Sequence, residues 1–172
     1  MYQRILTFSL IFLAAVAEMS LFPILFFGGV APDVVLILVI IWSSRKSFES
    51  FWIWAIIAGF ILDAVSLERI GTSAISFLLI SFGINFLSKR FFLGQRRRAF
   101  FWVMMLVLVG TVVHYFLGMT IEVATQSLSL SAFSFKILLF KLLNNAIMLA
   151  LIYWPVISCK NIFPVAETNL VK

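Results

Sequence analysis

Charge is what this 172-residue chain has least of: Asp, Glu, Lys and Arg make up 12% of it, about half the share of a soluble domain. Hydrophobic residues make up 63%, against roughly 45–50% in soluble domains. So few charges cannot clothe so much apolar surface in water, which excludes a water-soluble fold and leaves lipid as the solvent for most of the chain. There is one cysteine, Cys159, which excludes an internal disulfide framework. There is one histidine, His114. With the two on opposite sides of the membrane, neither a metal cluster nor a Cys–His nucleophilic pair is expected. No phosphate-binding glycine loop occurs, and no cofactor is expected. Alternation of polar and apolar residues is also missing, which excludes a transmembrane barrel, whose strands face lipid and lumen in turn.

What is present is a series of long apolar runs. A hydrocarbon core of about 30 Å needs roughly 20 helical residues. The runs predict an all-α, polytopic membrane bundle with spans over Ile5–Phe27, Ala31–Ser44, Phe48–Ser66, Thr72–Ser88, Ala99–Ile121 and Phe135–Ile157. The second run is short of a full span and reads as a short helix, or as a place where the preceding loop dips into the membrane. It is kept as a span because the basic residues require it. Counting it, Arg4, Arg45, Lys46, Lys89, Arg90, Arg96, Arg97, Arg98, Lys160 and Lys172 all fall on one side, and the opposite connections hold Arg69 alone. Cytoplasmic loops carry the excess of Lys and Arg, so both termini are expected in the cytoplasm. Trp42, Trp52, Trp54, Trp102 and Trp154 fall towards that same interface. Arg4, the apolar run and Ala15-Val16-Ala17 have the outline of a cleavable signal, but the run continues to Phe27, as a retained first helix would. The expected organisation is one transmembrane domain over 1–157 and a short cytoplasmic tail over 158–172.

Polar side chains at membrane depth are costly and are candidates for function. Glu18 lies midway along the first run, Asp63 near the outer end of the third, His114 in the outer half of the fifth and Lys141 in the outer third of the sixth. Asn144 and Asn145 follow Lys141 by one turn. A buried carboxylate needs a partner, and Lys141 is the available cation, so an intramembrane cluster of Asp63 and Lys141 with Glu18 or His114 is expected. The alternative is that each group reaches a headgroup, water or a backbone carbonyl. Pro32-Asp33 reads as a helix start, with proline in the first turn and an acidic group at the positive end of the dipole. Gly59 stands four residues before Asp63, on the same helix face, where it permits a neighbouring helix to approach. Gly71 supplies a turn or a close backbone approach. The basic patch Lys89, Arg90, Arg96, Arg97 and Arg98 fixes topology and can attract anionic lipid at about 1 kcal/mol per charge. That accounts for the net charge of +6 without a nucleic-acid partner.

Pro32-Asp33, the apolar helix after it, the basic turn Arg45-Lys46, Gly59-Phe60-Ile61-Leu62-Asp63 and Ile70-Gly71 together resemble the MreD family. Where that family often has Pro-Leu-Gly, this chain has Arg69-Ile70-Gly71, a departure that bears on the shape of the turn. The resemblance implies a non-catalytic scaffold in the bacterial inner membrane, part of the elongation complex that directs peptidoglycan synthesis and rod shape. It implies an MreC-like single-span protein as partner, with RodA, a transpeptidase and MreB in the same assembly. It also implies a fold similar to the substrate-binding subunits of energy-coupling-factor transporters. A solute-binding transporter subunit is therefore the competing reading, and the outer-half polar residues would then line its ligand site. Short external connections, offering little material for a lid, favour the scaffold.

Overall fold

A computed structural model of the chain describes residues 2–45, 48–66, 69–91, 96–124 and 134–158. Among these, side chains are described except at 2–4, 50, 88–91, 96–99, 122 and 157–158. The described residues form helices α1 (Tyr2–Ser20), α2 (Phe22–Leu25), α3 (Val34–Ser43), α4 (Phe48–Ser66), α5 (Thr72–Phe91), α6 (Arg96–Ala124) and α7 (Phe135–Ser158), with a 3-10 turn at Phe27–Gly29.

At the N-terminal end one expectation changes, the continuous first span, and another, the short helix in the second run, is met. The first apolar run is not one helix to Phe27: α1 stops at Ser20, and Pro23 sits in the first turn of the four-residue α2. Proline has no N–H to extend α1 and its ring crowds the preceding turn, so α1 ends and a separate one-turn helix follows. Phe26 is then extended, and Gly28 and Gly29 take φ of 74° and 68°, a left-handed pair that reverses the chain. The second run is a helix of only 10 residues, about 15 Å long, half of a hydrocarbon core.

That short helix is the centre of the fold. Every residue of α3 from Val34 to Ser43 is buried, and it touches α1, α4, α5, α6 and α7. A helix apolar on all sides belongs in an interior, and its row of Val, Ile and Leu keeps few rotamers to lose on packing. Around it, Phe51 and Phe77 are buried outright, Trp42 meets Phe51 edge-on at 6.1 Å, and Tyr153 of α7 meets Phe100 of α6 at 4.9 Å. In lipid the association of helices rests on such contacts and on interhelical hydrogen bonds, since apolar burial against tails gains little.

The tightest helix pair is α4 with α5. A Cβ on Gly59 would overlap the backbone N and Cα of Ala74, so only glycine lets the two backbones come this close. By length and apolarity, Phe100–Ile121 of α6 and Phe135–Val156 of α7 suffice to cross a membrane. The other apolar helical stretches are shorter: Ile5–Ser20, Val34–Ser43, Phe51–Ser66 and Thr72–Leu87.

Candidate functional site

The polar side chains gather at the N-terminus of α3, where a helix end is buried inside the bundle. Its first amides have no partner within the helix and must find one elsewhere. Asp33 occupies the cap position, yet its side chain does not cap. Glu18 does so from α1: its Oε2 accepts the Val35 N–H at 3.0 Å. A carboxylate at this end also meets the positive pole of the helix dipole.

Asp33 is thereby free to bind α7. Lys141 Nζ donates to Asp33 Oδ1 at 2.8 Å, and Asn145 Nδ2 donates to Asp33 Oδ2 at 3.1 Å. The Asp33 backbone N–H returns a bond to Asn145 Oδ1 at 2.6 Å, so the amide grips both the main chain and the carboxylate. Asn145 Nδ2 donates as well to Thr111 Oγ1 at 2.8 Å, and the Thr111 hydroxyl donates to the Val107 carbonyl one turn back in α6. Asn144 Nδ2 holds the carbonyls of Phe27 and Val30 at 3.0 and 2.7 Å, fastening the glycine turn to α7. Glu18, Asp33, Asn144, Asn145 and Thr111 are all buried, while Lys141 keeps 25% of its side-chain exposure. One network therefore ties α1, α3, α6, α7 and the turn before α3.

The expected pairing of Asp63 with Lys141 is corrected by these contacts. Lys141 goes to Asp33, and Asp63 is committed to α5: its Oδ2 accepts the Gly71 N–H at 2.6 Å and its Oδ1 the Ser73 N–H at 3.0 Å. A carboxylate bridging the last turn of one helix to the first amides of the next satisfies donors that α5 leaves open, and so needs no lysine. Gly71, at φ 103°, holds the left-handed conformation that aims its N–H at Asp63.

His114 lies on α6 one turn from Thr111, partly buried, with its ring 5.3 Å from that of Phe77. It is within electrostatic range of Asp33, Lys141 and Asp63, and Glu18 is within range of Asp33 and Lys141. Among the described residues, His114 Nδ1 and Asn144 Oδ1 meet no protein hydrogen-bond partner. No group of three or more His, Cys, Asp or Glu that could hold a metal occurs among the described residues. Pro32 leads into the site, its carbonyl accepting the Val34 N–H at 3.0 Å. The basic patch is only partly placed. Lys89 and Arg90 fall in the last turn of α5 and Arg96, Arg97 and Arg98 in the first of α6, while their side chains lie outside the described ones. Lys46, Cys159, Lys160 and Lys172 lie outside the described residues.

In sequence terms Asp33 has only a helix-starting role, and Asn144, Asn145 and Thr111 stand outside the expected cluster. The available signal was the Lys141-x-x-Asn144-Asn145 spacing, which puts an ammonium and two amides within about one turn, between the apolar stretches Ile137–Phe140 and Ala146–Ile152. Chemically the arrangement is a set of fixed interhelical bonds with the lysine as its one cation.

The family model for rod shape-determining protein MreD matches residues 1–160. No curated protein and no solved structure matches the chain.

Proposed function

The chain belongs to the MreD family of rod shape-determining membrane proteins, and from that premise we propose that it is a non-catalytic scaffold subunit of the bacterial elongation complex. In this reading it lies in the inner membrane with both termini in the cytoplasm. It crosses as a single helical domain over 1–157 with a short tail, through α1 with its kinked extension, α4, α5, α6 and α7, and with α3 as the buried half-span of the second crossing. An MreC-like single-span protein binds its outer helix faces, and RodA, a transpeptidase and MreB join the same assembly. Anionic lipid gathers at Lys89, Arg90 and Arg96–Arg98.

The observation that carries this reading is the family match over nearly the whole chain. Two features of the bundle support it. The buried polar side chains spend their hydrogen bonds inside the bundle, three on one another and the rest on backbone groups of neighbouring segments, which fixes helix geometry as a scaffold requires. The outward faces of α5, α6 and α7 present large apolar residues such as Leu79, Phe82, Val109, Phe116, Leu139 and Leu151, suited to lipid or to partner helices.

A second reading keeps one specific observation in its favour. A half-length helix ending inside a bundle beside charged and amide side chains is the arrangement that membrane transporters use to bind solutes. A solute-binding subunit of an energy-coupling-factor type transporter would use Glu18, Asp33, His114 and Lys141 in that way. Purification of the tagged protein from its native membrane in mild detergent, read by mass spectrometry, separates the two. Recovery of an MreC-like protein with wall-synthesis enzymes supports the scaffold. Recovery of paired ATPases and a coupling subunit overturns it.

A further inference from the structure

Between Glu18 and Asp33 the chain carries no charged residue, and the stretch Leu21–Phe27 is apolar throughout. Neither α2 nor the 3-10 turn has a buried residue. Ile24 is 82% exposed, Leu25 71%, Phe27 62% and Leu21 56%. This is a compact apolar turn at the end of α1 in which Phe22, Pro23 and Phe26 are half-buried while Leu21, Ile24, Leu25 and Phe27 are exposed.

We propose that Leu21–Phe27 is a lipid-embedded turn, submerged in the acyl region of the leaflet opposite the N-terminus, so that its partner is the bilayer itself. This rests on the membrane-spanning reading of the bundle. From Arg4 to Ser20, α1 rises about 24 Å, which leaves about 6 Å of a 30 Å hydrocarbon core beyond its end. The turn occupies that remaining depth. Several of its amides are paired within the protein, as lipid favours for backbone N–H groups. Leu21 N–H bonds to Ala17 O at 3.0 Å, Ile24 N–H to Leu21 O at 3.3 Å and Phe26 N–H to Phe22 O at 3.0 Å, and Pro23 has no N–H to satisfy. The return limb is secured to protein: Asn144 takes the Phe27 and Val30 carbonyls, and the Gly28 backbone lies against the Phe140 ring, 2.8 Å from where a Cβ would stand. One side of the turn is thus pinned to α7 and the other presents Ile24 and Leu25. With no charge and no polar face, the turn does not suit water, and a single helical turn is too short to form the two-faced helix that lies along a headgroup layer.

The test uses the full chain with Cys159→Ser, reconstituted in phosphatidylethanolamine–phosphatidylglycerol vesicles, with a nitroxide attached at Ile24→Cys or, separately, Leu25→Cys. A third label at Val109→Cys, on the exposed face of α6, reports whether the bundle spans the membrane at all. Collision of each label with oxygen, which partitions into lipid, is compared with collision with a water-soluble nickel chelate. The expected result is oxygen collision several-fold above nickel collision at both turn positions, at a shallower depth than Val109. Nickel collision dominating at both turn positions while Val109 reports lipid overturns the proposal and leaves the spanning reading intact. Protection from both reagents means that protein, such as a second copy of the chain, covers the turn, and overturns it equally. Failure of Val109 to report lipid removes the spanning reading and the proposal with it.

Discussion

Removing the charge of Lys141 tests whether the network at α3 holds the bundle together. In Lys141→Met the side chain keeps its length while Asp33 Oδ1 loses its 2.8 Å partner. Breaking a buried ion pair from one side costs about 3–5 kcal/mol, because the other charge is left without compensation. Here the lysine retains 25% exposure and Asp33 keeps both bonds to Asn145, so about 2–3 kcal/mol is expected. For a chain of this length each kcal/mol corresponds to about 2–4 °C in melting temperature, so the melt should fall by roughly 4–12 °C. Asp33→Asn alone should cost less, about 1–2 kcal/mol, since the stranded ammonium can turn towards water. The double variant Asp33→Asn/Lys141→Met has no stranded charge and should sit above the sum of the two by about 1–3 kcal/mol. The assay is thermal unfolding of the purified protein in mild detergent, followed by tryptophan fluorescence. If the single effects add to give the double within about 0.5 kcal/mol, the pair carries no coupling and the reasoning fails.

Further outcomes follow from the other contacts. Gly59→Ala should cost about 3 kcal/mol or prevent folding, because the new methyl meets the Ala74 backbone, which cannot yield as a side chain can. Gly83→Ala, where nothing lies within 4 Å, should be neutral or raise the melting temperature slightly, and equal behaviour of the two would contradict the close α4–α5 approach. Asp63→Asn can accept one of the two N–H groups of Gly71 and Ser73 but sets an NH₂ against the other, so a loss of about 1–3 kcal/mol in the same melt is expected. Replacing Arg96, Arg97 and Arg98 with alanine should reduce co-purifying phosphatidylglycerol, and unchanged lipid content by mass spectrometry would remove the lipid role of the patch. Reporter fusions at each end should read cytoplasmic, and a periplasmic readout at one end only would rule out an even number of crossings.

Composition and the placement of basic residues determined what could be read in advance. A chain this apolar must satisfy its backbone internally, so the helices over Phe48–Ser66 and Phe135–Ser158 begin where the apolar runs begin. The sequence also picked out Glu18, Asp33, Asp63, His114 and Lys141, because a charge or an imidazole in an apolar run is conspicuous. It could not pair them. Whether Lys141 meets Asp33 or Asp63 depends on how α7 is rotated about its axis and on where the glycine turn returns the chain, and neither leaves a periodic trace. Thr111 was invisible for the same reason, being one hydroxyl among many until Asn145 reaches it. The break in the first run at Ser20 is local chemistry that Pro23, Gly28 and Gly29 announce, but hydropathy averages over it. Only the tertiary structure decided that a ten-residue helix, too short to span, would be the buried centre on which five others pack. Apolar periodicity reports that a residue avoids water, and lipid and protein interior satisfy that demand alike.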